Sequence, residues 1–156
     1  MIAYRAANLE DIDLLVNLRI EFLYEALALP KETPAKALRK SLKNYFQRKM
    51  PKKEFIAWLA FNNDECIATS GLSFYDVPPV FSNPSGKKAY IMNMYTRPPW
   101  RRKGIGTELL KRLLEEIKTR RIKVVVLHAT EMGKTLYEKF GFRETNEMEL
   151  KIGEIK

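Results

Sequence analysis

The chain has 156 residues, a length that suits one domain over residues 1–156 with one sizeable core. Apolar residues make up 46% and charged residues 30%, which excludes a disordered chain, and no run approaches the roughly 20 apolar residues of a membrane span. The net charge is +9, Cys66 is the only cysteine and the N-terminus lacks the apolar core of a secretory signal; a disulfide framework and a cysteine-based metal site are excluded, no metal is expected, and the expectation is a cytoplasmic protein.

Taken in order, Ile2 to Ala6 reads as a short strand. Asn8 is a good N-cap, with Asp11 three residues on. The helix from Leu9 to about Leu29 carries Ile12, Leu15, Val16, Arg19, Phe22, Leu23 and Ala26 on one face, with Glu21 and Glu25 on its other side. Thr33-Pro34 opens a second helix, to about Lys49, with Thr33 as N-cap and Pro34 at the first helical position. Charge is divided between these helices. Residues 1–30 hold two basic and five acidic residues, whereas residues 31–53 hold nine basic and one acidic. A block like the second binds polyanions in some proteins, and a solvated helix face is the plainer reading.

Phe55 to Phe61 and Cys66 to Tyr75 read as strands joined by the turn Asn62-Asn63-Asp64-Glu65, with Gly71 at a bulge or close contact. A loop rich in proline, serine and glycine spans Asp76 to Lys88, and Ala89 to Thr96 is the next strand. Leucines at helical spacing follow from about Gly104 to Arg120. Ile122 to Ala129 is a nearly continuous apolar run, expected to be a strand buried on both faces. Its one histidine, His128, reads as a core residue. A helix from Met132 to Phe140 ends at Gly141, and Phe142–Arg143 with Asn146–Ile152 read as a closing hairpin. The order β-α-α-β-β-β-α-β-α-β-β is mixed α/β with a mainly antiparallel sheet.

The run R-P-P-W-R-R-K-G-I-G-T-E-L-L, from Arg97 to Leu110, joins a strand to an amphipathic helix through a basic loop with two glycines. Gly104 and Gly106 let the backbone turn sharply and approach a ligand. The first amides of the following helix have no acceptor within it, and the dipole makes that end positive, so a pyrophosphate is the natural partner. No G-x-x-x-x-G-K-[ST] loop is present, and G-x-G lacks the third glycine of a dinucleotide fingerprint. A basic turn opening a surface helix is the plainer alternative.

R-x-x-G-x-G at Arg101, Gly104 and Gly106, with the strand before it, the leucine helix after it and L-Y-E-K-F-G-F from Leu136 to Phe142, resembles the acyl-CoA loop of the GNAT superfamily of N-acyltransferases. The resemblance implies a GNAT-like sheet with a splayed centre. It implies acetyl-CoA or coenzyme A as cofactor, its arm paired with Met94, Tyr95 and Thr96 beside a bulge near Asn93, and its pyrophosphate on the amides of Arg102, Lys103, Gly104, Ile105, Gly106 and Thr107. Arg101 matches the family's Arg/Gln position, and Thr130 stands where many relatives have an asparagine. It further implies Tyr137 as general acid and an amide near Met94 or Tyr95 as oxyanion donor. No carboxylate on the central strand supplies a base; Glu21, Glu25, Asp76 and a water held by Asn93 and Tyr95 are the candidates.

These readings favour acetyl transfer to a small-molecule amine by direct attack in a ternary complex, the acceptor lying among Glu21, Glu25, Asp76 and Asn93. A protein or peptide acceptor, a non-catalytic acyl-CoA sensor and a basic nucleic-acid-binding module are the alternatives. The last leaves the two-glycine loop unexplained and lacks interleaved surface aromatics, so nucleic acid is disfavoured. No membrane association is expected, and oligomeric state stays open, a homodimer included.

Overall fold

A computed structural model of the chain describes residues 1–153. The elements are β1 (Ile2–Ala6), α1 (Ile12–Ala26), α2 (Lys36–Lys49), β2 (Phe55–Asn62), β3 (Glu65–Asp76), β4 (Lys87–Thr96), α3 (Ile105–Thr119), β5 (Val124–Leu127) and α4 (Glu131–Lys139). The five strands form one sheet in the order β1-β2-β3-β4-β5. Every pair is antiparallel except β4 and β5, which α3 connects in parallel.

Side chains alternate across the strands, so the sheet buries two faces. On one, Ile12, Leu15 and Val16 of α1 and Phe46 of α2 pack on Phe55 and Leu59. On the other, Leu110, Leu113 and Ile117 of α3 meet Leu72, Ala89 and Ile91. Removing a fully buried leucine such as Leu110 or Leu113 leaves a cavity costing about 2–5 kcal/mol.

Local signals act where expected, with shifts. Asn8 caps a 3-10 turn, Leu9–Asp11, that leads into α1; its side chain accepts the Glu10 amide, and the Asp11 carboxylate takes the Asn8 amide in return. Of the anticipated stripe, Ile12, Leu15 and Val16 are buried, Arg19, Phe22 and Leu23 half-buried and Ala26 exposed, while Leu18 and Ile20, outside the stripe, are buried too. The helix stops at Ala26, short of Leu29. α2 begins at Lys36, not at Pro34, and no side chain caps it. A Cβ on Gly71 would come within 2.9 Å of the Phe55 ring, so glycine there answers a close approach beside the register shift between β3 and β4.

Two expectations about the last part of the chain fail. β5 has four residues, all half-buried, because it is the edge strand and its outer side is uncovered. No strand follows α4 among the described residues: the hairpin at Phe142–Arg143 and Asn146–Ile152 is absent. Met148, Leu150 and Ile152 stand exposed, and Glu144 is drawn to Lys134 of α4. Alternation alone makes no strand where the segment pairs with no other.

Candidate active site

β4 carries the site through one geometric feature. It pairs with β5 only from Lys88↔Val124 to Ile91↔Leu127, while on its other side it stays paired with β3 to Thr96. From Met92 to Thr96 one edge is therefore open, about 15 Å of strand. The register with β3 slips between Thr69 and Gly71, and at the matching point Asn93 has φ +56°. Asparagine tolerates that region better than most residues. Asn93 is 6% exposed and its Oδ1 has no hydrogen-bond partner. An unpaired buried amide oxygen beside an open strand edge is a vacant acceptor at the centre of the sheet.

The open edge runs into the two-glycine loop. Arg102 and Gly104 both adopt left-handed φ, +63° and +78°. Such residues turn successive amides toward one point, making an anion nest, and a non-glycine residue held there is a strain that functional sites collect. Gly104 is also the N-cap of α3, so no side chain satisfies the first amides of that helix. A Cβ on Gly104 would meet nothing within 4 Å, so the space over the nest is open. A Cβ on Gly106 would only touch Leu136 at 3.6 Å, so crowding within the chain does not demand glycine there. Amides from Arg102 to Thr107, open space and positive charge fit a pyrophosphate.

The side chains of the basic run are not equivalent. Arg101 turns inward: it pairs with Glu25 at 2.5 Å and its Nε donates to the Thr96 carbonyl at 2.8 Å. Lys103 lies over the Trp100 ring at 4.8 Å. The Thr96 carbonyl at the end of the open edge is thus engaged within the chain. Thr130 caps α4 by accepting the Gly133 amide.

α4 abuts the start of α3 through Leu136 and buries Tyr137 beside Ile91 and Leu110, with Met94 at the margin of the same cluster. Burial pushes the Tyr137 phenol up to about 12, so it is a hydrogen-bond donor throughout the neutral range.

The candidate carboxylates are engaged by neighbouring cations or stand apart from the open edge. Glu21 is held by Arg97 at 2.8 and 3.0 Å, and Glu25 by Arg101 and the Tyr95 hydroxyl. Asp76 lies at the far end of β3, exposed, near Lys87. His128, by contrast, is no core residue. Its side chain is 71% exposed, because β5 ends one residue earlier and the chain leaves the sheet at the splay. Its Nδ1 shares a short hydrogen bond with the Tyr90 hydroxyl, and its Nε2 faces Glu147 at 4.0 Å. Sequence reasoning missed this imidazole; a histidine at the end of an apolar run, just before a helix cap, was the available signal.

The acetyltransferase (GNAT) family model matches residues 20–142. No curated protein matches the chain. Among solved structures, a predicted acetyltransferase with acetyl-CoA from Clostridium acetobutylicum is 38% identical, with 97% of each chain covered and a TM-score of 0.90. A GCN5-related N-acetyltransferase from Ralstonia eutropha JMP134 is 30% identical, covering 97% of this chain and 99% of that one, with a TM-score of 0.86. Glucosamine-6-phosphate N-acetyltransferase from Arabidopsis thaliana shares the fold at 16% identity, with 99% of each chain covered and a TM-score of 0.70.

Proposed function

Because the chain belongs to the acetyltransferase (GNAT) family, we propose that it moves an acetyl group from acetyl-CoA to the primary amine of a small molecule, by direct transfer in a ternary complex. The observation that carries this reading is the open edge of β4 meeting the anion nest at its end. Acetyl-CoA, the molecule bound in the Clostridium acetobutylicum structure, supplies the acetyl thioester.

The chain's own groups divide the work. Amides from Arg102 to Thr107 hold the diphosphate, with Arg102 and Lys103 adding charge. The Met94 and Tyr95 edge pairs with the amide-bearing arm and aims the thioester at the splay, where an amide of the same edge stabilises the oxyanion. Tyr137 donates a hydrogen bond to the departing sulfur. With the phenol at about 12 and a free thiol near 8.5, complete proton transfer is uphill by about 5 kcal/mol, so Tyr137 stabilises the thiolate by hydrogen bonding. His128 takes the proton of the attacking amine, being the titratable side chain at the splay that no arginine neutralises. This assignment replaces Glu21 and Glu25, whose charge is committed to Arg97 and Arg101.

The test is thiol release from acetyl-CoA with a panel of primary amines and lysine peptides. Turnover with small amines and none with peptides is expected. Turnover with peptides alone moves the acceptor to the protein class, and binding without any turnover leaves a sensor.

A further inference from the structure

One half-buried arginine on the α1 side of the sheet has no carboxylate partner. Arg19 sits on α1 between Leu18 and Ile20, both buried, and is itself half-buried. Its guanidinium lies over the Phe22 ring at 5.3 Å and beside the Tyr90 phenol. Among the described residues no carboxylate comes within 4 Å of it. Three other half-buried arginines have carboxylates, Arg97 with Glu21 and Glu65, Arg101 with Glu25 and Arg112 with Glu108, while Arg120 donates to the Lys53 carbonyl and lies over the Phe74 ring on the α3 side. Burial disfavours the Arg19 charge, and the neutral Tyr90 hydroxyl does not replace a counter-ion. A guanidinium partly withdrawn from water without an anion is disfavoured, and its planar fork matches a carboxylate or phosphate.

Its place gives the vacancy a meaning. Tyr90 precedes Asn93 by three residues on β4, about 10 Å of strand, and its hydroxyl bonds His128 at the splay. One small molecule therefore reaches from the amine position to Arg19. Glu147 faces His128 and also acts on the Tyr90 phenol, but it makes no ion pair with Arg19.

We infer that the acceptor carries an anionic group, a carboxylate or a phosphate, and that Arg19 binds it at the α1 side of the β4 bulge. This rests on the acetyltransferase reading and narrows the acceptor to acidic amines. Hydrogen bonds to a charged partner are worth enough to make the acidic member of a matched pair bind about tenfold tighter, or more.

The experiment titrates the coenzyme A-loaded protein with matched probes by calorimetry: 4-aminobutyrate against butylamine, and O-phosphoethanolamine against ethanolamine. The wild type should prefer the acidic member of at least one pair about tenfold, and which pair does so separates carboxylate from phosphate. Arg19→Gln should bring the two members of that pair level, and Arg19→Lys should keep part of the preference. Coenzyme A binding, measured first, establishes that each variant is folded. Equal affinities in the wild type, a preference that survives Arg19→Gln, or no binding of either acidic probe at millimolar concentration would overturn the inference. Acetyl transfer is scored separately, so a preference without turnover sinks the catalytic reading and leaves the anion site standing.

Discussion

At the scale of single residues, the proposed catalytic roles fall on two side chains on opposite sides of the splay. Tyr137 is reached through the α3 and α4 face, and His128 through the edge where β5 ends. Their roles separate in the kinetics of their variants. Tyr137→Phe should lower kcat about 10²-fold or more while leaving the KM for acetyl-CoA close to that of the wild type. It should leave the neutral part of the pH profile unchanged, because a phenol near 12 does not titrate there. His128→Asn should instead lower kcat/KM for the amine while leaving coenzyme A binding close to that of the wild type. Steady-state rates between pH 5 and 9 check both, and a wild-type rate from either variant would withdraw that role. Arg19 was visible in the sequence as a charge inside an apolar stripe. That the stripe offered it no carboxylate was not visible.

At the scale of elements, the site depends on how strands and helices end. β5 is four residues long, so β4 outruns it and keeps a free edge. α3 starts on a left-handed glycine, so its first amides stay available. The start of α1 is tied down by contrast. Asp11 is 7% exposed, accepts two hydrogen bonds of 2.7 Å from Arg5 and takes the Asn8 amide. The Arg5 guanidinium holds this carboxyl below its usual range, with the Asn8 amide adding to the effect against burial. A carboxylate with a depressed folded pKa contributes stability that is present above its unfolded value, about 4, and lost as pH falls through the folded one. Asp11→Asn should therefore cost about 1–3 kcal/mol at neutral pH and flatten the acid side of a stability profile below about pH 4, read by urea melts. An unchanged acid limb would mean other carboxylates set it.

At the scale of the molecule, the proposed coenzyme site lies where β4 and β5 part, beyond the last paired residues Ile91 and Leu127. Coenzyme binding should stabilise the native state by about 3 kcal/mol at a hundredfold excess over Kd, raising Tm by roughly 5–10 °C for a chain of this size. Gly104→Val should erase most of that rise. Its side chain would occupy the open space over the nest and be forced into a φ of +78°, which alone costs about 1–2 kcal/mol. Differential scanning with and without acetyl-CoA checks this, and a full shift in the variant would mean the diphosphate sits elsewhere. The +9 net charge adds a condition: the shift should shrink in high salt, because phosphate contacts are screened.

Local chemistry by itself determined much of this protein. Asn8 as a cap, the leucine stripe from Leu109 to Ile117, the sharp turn at Gly104 and the left-handed Gly141 are decided by neighbours within a few residues, and so could be read along the chain. The number of strands, the depth of His128 and the partners of Glu21, Glu25, Arg19 and Arg101 were decided only by the tertiary structure. Each of those depends on which distant segment comes to lie opposite: Glu21 meets Arg97 from 76 residues away, and the segment after α4 meets no strand to pair with. A side chain's charge is written in the sequence, but whether that charge is spent on a neighbour or left for a ligand is settled by packing.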